Sequence, residues 1–514
     1  MEGISASTGL FYHLWQTVLP DYISNTLLLG LFVVLLSIVF GVISAALIVY
    51  TNITGKALLR WLLMLPLAMP AYLVAYLYTD LFDYAGPVQR TLRIWFDWQS
   101  PSDYWFFDMR TLGGASIILA LVLYPYVYML ARTAFEQQDQ NLLKASRLLG
   151  YSARQSFFKV ALPLARPAIA VAASLVLMET LADFATVQYF AVNTLTTAIY
   201  DTWLGYSDLA TANALASVLM LFILFVVIIE QRARSGRIHQ SNRINKTYQG
   251  VILSTSAQIL ASAFCWILAI AGFILPFSLL LVMAWEHSTS EQLLALIPSA
   301  ANSINVAFWA ASFSVLLALL LALFKRLGTD TWRQLPMQIS GFGYAIPGTV
   351  LAMAMMSTFA PIDFMINDIA KFIQSKPPGL ILSGSIFAII FAYIVRFSAI
   401  ANGTIDSGIK QIPRSVDFAP ATLGANLFTT LTKIHLPLLA SSIWVAWLLV
   451  FVEAMKELPA VLLLRPFNFE TLSTQIYQLI SDEMLEQGAL GAIFIVLLGL
   501  IPIVWLNKNK DNTN

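Results

Sequence analysis

Eleven apolar stretches dominate this chain, at 23–49, 62–82, 114–134, 168–190, 211–230, 258–284, 303–324, 338–359, 380–400, 438–464 and 487–506. Each supplies roughly the 20 residues that a helix needs to cross about 30 Å of hydrocarbon. A membrane strand would alternate apolar and polar residues, and these stretches do not. The fold class is therefore all-α and polytopic, with about 11 transmembrane helices, because helices satisfy every backbone donor and acceptor in lipid. Composition agrees: the chain is 59% hydrophobic and 11% charged, whereas soluble domains carry about a quarter charged residues. The lone cysteine, Cys265, leaves no internal disulfide and no cysteine-based metal site. Residues 1–22 lack a basic start and contain Asp21, so they do not read as a cleavable secretory leader.

The net charge of +1 says nothing about partners, but the placement of the charges does. Strict alternation puts residues 50–61, the loop containing 146–163, 231–257, 325–337, the loop containing 420–437 and the C-terminal tail on one side. Those segments collect most of the 29 Lys and Arg, which makes that side cytoplasmic. With eleven spans, residues 1–22 then lie outside, unless a helix precedes the first span.

The chain also reads as two copies. Asn25-Thr26 and Ala68-Met69-Pro70 recur 277 residues later as Asn302-Ser303 and Ala345-Ile346-Pro347. Gly150, Pro163 and Glu179 recur 274 residues later as Gly424, Pro437 and Glu453, and Thr194-Leu195, Ile199 and Tyr200 recur as Thr471-Leu472, Ile476 and Tyr477. The expected organisation is a first repeat at 1–230, a cytoplasmic linker at 231–257 and a second repeat at 258–514. Matching spans share one orientation, so the repeat is parallel, with a polar path expected at its pseudo-symmetric interface. The span 258–284 has no counterpart in the first copy.

One cytoplasmic loop is written twice. Lys144-Ala145-Ser146 and Phe418-Ala419-Pro420 are each followed by three residues, a Gly, nine more residues, an aliphatic residue, a spacer and Leu-Pro. Gly150 and Gly424 suit a left-handed end to a short helix. Pro163 and Pro437 suit the first turn of the next membrane helix. A short helix, a turn and a re-entry follow from this spacing.

Acids at membrane depth are costly and face a cavity or a partner. Glu179 and Asp183, and their equivalents Glu453 and Glu457, are four apart and are expected to share a helix face. They read either as lining for a cation path or as a structural network with Lys456. His13, His239, His287 and His435 are scattered, so no fixed metal centre is expected. On the outer side, residues 83–113 combine Trp95, Trp98, Trp105, Phe106 and Phe107 with Asp97, Asp103, Asp108 and Arg110. These suit a docking surface or an interfacial aromatic belt. Arg465 and Glu470 are weaker candidates for the same surface.

The twice-written loop resembles the EAA loop of ABC-importer permeases, where Glu usually stands at the places of Lys144 and Phe418. The segments LPLAMPAYLVAYLYTDLFDYAGPVQ (65–89), METLADFATVQYF (178–190), TLTTAIYDTW (194–203) and KELPAVLLLRPFNFETLSTQIY (456–477) resemble the fused two-repeat permeases of bacterial ferric-iron ABC importers. Where many of that group have Gly after Asp-Phe, this chain has Ala185. The resemblance implies the type I importer permease fold in a bacterial inner membrane. It also implies two cytoplasmic ABC ATPase subunits docked on the two loops, and a periplasmic ferric-iron-binding protein. No P-loop accompanies Gly55-Lys56, so the chain itself is not expected to be an enzyme or to bind a cofactor. ATP belongs on the partner subunits, and no nucleic-acid partner is expected. The alternatives are a permease for thiamine, a polyamine, sulfate or another small solute, and a secondary transporter that works without an ATPase.

Overall fold

The computed structural model describes residues 12–13, 15–234, 254–326, 328, 330–413, 415–416 and 426–511. Among these the regular elements are helical. Ten of the described helices are long and apolar enough to span a membrane, and the bent pair Lys56–Ala68 and Ala71–Phe96, with a 97° break, makes up to eleven.

In chain order the helices used below are α1 Leu19–Tyr50, α2 Lys56–Leu62, α3 Ala71–Phe82, α4 Pro87–Phe96, α5 Leu112–Glu136, α6 Gln140–Leu148, α7 Leu162–Ala182, α8 Ala185–Tyr189 and α9 Leu195–Tyr200. They continue as α10 Leu209–Arg234, α11 Thr255–Ala269, α12 Leu275–His287, α13 Ser290–Arg326, α14 Leu335–Gly341, α15 Gly348–Phe372, α16 Ile386–Gln411, α17 Leu436–Lys456, α18 Pro459–Leu464, α19 Leu472–Ser481 and α20 Leu485–Asp511.

Spatial proximity groups the chain into two compact units, residues 1–288 with 479–503 and residues 289–478 with 504–514. In the first, α1, α5 and α7 pack on one another around Tyr124 and Tyr128, both fully buried. The segment α11–α12, which has no counterpart in the first copy, lies in this unit. Tyr78 there donates its hydroxyl proton to the Ala271 carbonyl at 2.5 Å, and Thr54 N–H donates to Ser262 Oγ at 3.1 Å. In the second unit the equivalent trio is α13, α16 and α17, with Tyr393 and Phe397 buried. Without a strong hydrophobic drive in lipid, such bundles hold by close packing and by polar contacts between helices.

Three π turns, Phe157–Ala161, Ile270–Ile274 and Leu431–His435, each come just before a Leu-Pro pair. Proline lacks an N–H, and its ring clashes with the carbonyl four residues back. One wider turn, bonding five residues back, carries the chain past the ring without breaking the rod. Leu162, Leu275 and Leu436 N–H accordingly donate to the carbonyls of Phe157, Ile270 and Leu431. Pro163 thus stands in the first turn of α7, as expected, but that turn does not open the rod. The helical rod begins about ten residues earlier, at Ala153, where Ser152 and Gln155 cap each other's backbone N–H.

Four apolar stretches expected as single spans are interrupted, among them 338–359 at Ile346-Pro347. The stretch 62–82 breaks at Met69-Pro70, 168–190 at Asp183-Phe184, and 438–464 at Glu457-Leu458. At the two breaks where a proline follows directly, the residue before it is pushed toward extended backbone: Met69 sits at φ −97°, ψ 128° and Ile346 at φ −80°, ψ 121°.

Candidate functional site

The interruptions repeat in both units with the same chemistry. In the first unit α7 stops at Ala182, and Asp183 takes extended backbone at φ −67°, ψ 133°. Its carboxylate turns onto the start of α8, accepting from Thr186 Oγ1 at 2.9 Å and from Val187 N–H at 3.1 Å. Thr196 Oγ1, on α9, donates to the Asp183 carbonyl at 2.8 Å. α1 then pins the start of α9: Asn25 Nδ2 donates to the Asn193 carbonyl at 3.1 Å, and Thr26 Oγ1 accepts from Leu195 N–H at 3.0 Å.

The second unit rebuilds this bond by bond. Glu457 is extended at φ −65°, ψ 126°, and its carboxylate accepts from Ala460 N–H at 3.1 Å. Ser473 Oγ donates to the Glu457 carbonyl at 2.8 Å. Asn302 Nδ2 donates to the Glu470 carbonyl at 2.9 Å, and Ser303 Oγ accepts from Leu472 N–H at 2.7 Å. The Asn-Thr and Asn-Ser pairs recognised as repeat anchors thus have a stated job: each ties the first long helix of its unit to the helix that follows the break.

Glu179 and Asp183 do not share a helix face, and neither do Glu453 and Glu457. The helices end at Ala182 and Lys456, so Glu179 and Glu453 remain on the last turn while Asp183 and Glu457 cap the next short helix. Standing one residue before the N-caps Phe184 and Leu458, each carboxylate satisfies a first-turn backbone N–H that would otherwise be orphaned in a low-dielectric surround. Glu453 pairs with Lys456 at 3.1 Å.

Glu457 has a partner that sequence reasoning missed. Arg396, on α16, brings Nε to 3.5 Å from Glu457 Oε2, with side-chain exposures of only 8% and 6%. Arg396 also donates to the Ile346 carbonyl at 3.4 Å, at the Ile346-Pro347 break. Gly348 lies against the pair: a Cβ there would stand 2.5 Å from Glu457 Oε1 and 3.0 Å from Arg396 Nη1. The first copy has Ala71 at that position, and its span α5 carries Arg132 as its single basic residue. An arginine inside a stretch already read as a span was the available signal.

The first of the twice-written loops is described in full. Asp139 caps α6 by accepting from Asn141 N–H at 2.9 Å. Gly150 stands at φ 89° and closes the helix, with Gly150 N–H donating to the Arg147 carbonyl and Tyr151 N–H to the Ser146 carbonyl. That bonding pair is the Schellman end, which needs a left-handed residue. Ser146 is buried, and its hydroxyl donates to Ser156 Oγ at 2.7 Å, tying α6 to the following rod. Lys144 and Ala145 are exposed. Leu148 and Leu149 are 89% and 80% exposed, an apolar pair presented beside basic residues. In the second loop Phe418, Ala419, Pro420 and Gly424 lie outside the described residues, while Pro437 sits in the first turn of α17 after its π turn.

The loop 83–111 is ordered by its aromatics. Trp98 stacks between Phe96 and Tyr104, and Arg93 covers the Tyr84 ring at 4.0 Å. Asp103 accepts from the N–H groups of Ser100 and Gln99, which hold its carboxyl below the usual carboxylate range. Trp95 and Trp105 point outward, 75% and 86% exposed. Asp97 takes a left-handed backbone, and Asp108 accepts from Arg110 N–H. Arg110 pairs with Glu483 at 3.0 Å. Phe106 stacks on Phe107, and Arg465 pairs with Glu470. Among the described residues no three of His, Cys, Asp and Glu stand close enough to hold a metal ion.

A family model described as "Binding-protein-dependent transport system inner membrane component" matches residues 37–237. The Fe(3+)-transport system permease protein FbpB 2 of Haemophilus influenzae is 25% identical, over 98% of this chain and 92% of that protein. The ferric transport system permease protein FbpB of Actinobacillus pleuropneumoniae is 24% identical, over 94% of this chain and 70% of its own length. The molybdenum transport system permease protein ModB of Escherichia coli is 32% identical, over 35% of this chain and 72% of that protein.

Proposed function

Because the chain belongs to the binding-protein-dependent transport system inner membrane component family, we propose that it is the membrane path of an ABC importer for ferric iron. It is a multi-pass inner-membrane transport subunit, and its family works with ATPase and binding-protein partners. The observation that carries the substrate is the nearly end-to-end similarity to a permease named for Fe(3+) transport.

In this reading ATP is hydrolysed on two separate cytoplasmic subunits, one for each twice-written loop, and a periplasmic protein delivers the iron. Lys144, Ala145, Ser146, Gly150 and Pro163 form the first coupling loop, and Phe418, Ala419, Pro420, Gly424 and Pro437 the second. The exposed Leu148-Leu149 pair at the C-terminal end of capped α6 supports docking, because an apolar pair on a hydrophilic loop is otherwise a solubility liability. Glu179 and Glu453, on the last turns of their spans, line the iron path, while Asp183 and Glu457 fix the backbone breaks beside it. Hard ferric iron favours oxygen donors, and weak, distributed attraction lets an ion leave as well as arrive.

The test is uptake into vesicles holding this chain with its ATPase and binding protein. ATP-dependent accumulation of radiolabelled ferric iron is expected, and uptake of thiamine without iron would overturn the substrate.

A further inference from the structure

Two charge triads stand away from the breaks. In the first unit Glu136 Oε1, at the end of α5, accepts from Arg60 Nη2 and from Arg132 Nε, both at 2.9 Å. In the second unit Asp406, on α16, accepts from Lys325 Nζ at 2.8 Å and from Lys410 Nζ at 2.6 Å.

The triads occupy equivalent places but not equivalent residues. Positions 132 and 136 match 406 and 410 at the 274-residue offset of the adjoining loops. Base and acid have therefore exchanged places one helical turn apart. The third member has moved as well. At the 277-residue offset Arg60 corresponds to Met337, and Lys325 reaches in from the end of α13 to within 3.9 Å of Met337 Sδ. A merely solvated charged face gives no reason to rebuild one acid between two bases from different positions.

Each triad lies on the helix that leads into a coupling loop. Glu136 joins α5 to α2, which runs on to the break at Pro70, and Asp406 joins α16 to α13. Polar ties at the same level reinforce both. Tyr50 donates to Gln138 Oε1 at 2.9 Å, and Gln138 donates to the Ala161 carbonyl at 2.8 Å. Arg326 donates to the carbonyls of Ile409, Ile412 and Pro413 at 2.8, 3.1 and 3.2 Å.

We propose that Glu136 and Asp406 are positioning residues for transport, each locking the helix entering its coupling loop to a neighbouring element of the same unit so that force on the loop moves both. This rests on the ATPase-driven reading above. Ferric iron taken up per ATP hydrolysed is measured for the reconstituted complex, wild type first. Wild type without ATP-dependent iron uptake overturns the reading and the inference together.

With wild type active, Lys325→Met and Glu136→Gln are each expected to lower iron per ATP about fivefold at equal yield of assembled complex. Lys325→Met combined with Met337→Lys returns a base to Asp406 from the position used in the first copy, and is expected to restore most of the loss. Unchanged iron per ATP in both single variants overturns the inference alone. So does a loss that follows assembly yield and is not restored in the double variant, since that marks a purely structural pair.

Discussion

Arg396 and Glu457 are the most consequential pair at the residue scale. Two charges this deeply buried gain from each other only with both present, because either one alone is left uncompensated. Arg396→Met or Glu457→Gln is expected to cost about 3–5 kcal/mol, read as a lower unfolding midpoint in detergent. The double variant is expected to recover much of that. Gly348→Ala should behave like a partial break, because its methyl would press on the Glu457 carboxylate, whereas Ala71→Gly in the other copy should be mild. Equal effects at the two positions would mean that the ion pair does not set the packing there. Arg396 was legible as an arginine inside a span, but its pairing was not, because the partners are 61 residues apart and the nearby Lys456 looked like the obvious counter-ion. Lys456 instead satisfies Glu453.

At the scale of elements, the recurring unit is a long helix, a break held by an acid, and a short capped helix tied back to the first span. Asp183→Ala removes the cap of α8 and is expected to cost about 1 kcal/mol, seen as faster amide exchange across Ala185–Tyr189. Asp183→Asn keeps an acceptor and should lose less exchange protection. Transport abolished by Asp183→Asn with exchange unchanged would instead make the charge itself the functional feature.

The spans, the repeat anchors and the left-handed Gly150 were readable because periodicity, spacing and backbone sterics are local properties. The breaks were not, since apolar residues flank them on both sides and a hydropathy window runs straight through. The π turns escaped for a related reason. A proline at a helix start and a proline bypassed by one wide turn leave the same Leu-Pro signature, and what separates them is the capped Ser152 ten residues upstream.

For the whole molecule the central claim is that a capped cytoplasmic helix carries force from an ATPase into a membrane path. The chain suits a direct test, because its single cysteine, Cys265, is fully buried. Leu148→Cys therefore places one reactive thiol on the exposed end of α6. In the assembled complex, a short thiol-to-amine cross-linker is expected to join this residue to the ATPase subunit, with ATP changing the yield. Labelling of the same thiol by an impermeant reagent from the periplasmic side, or the absence of any cross-link in an intact complex, would contradict the account.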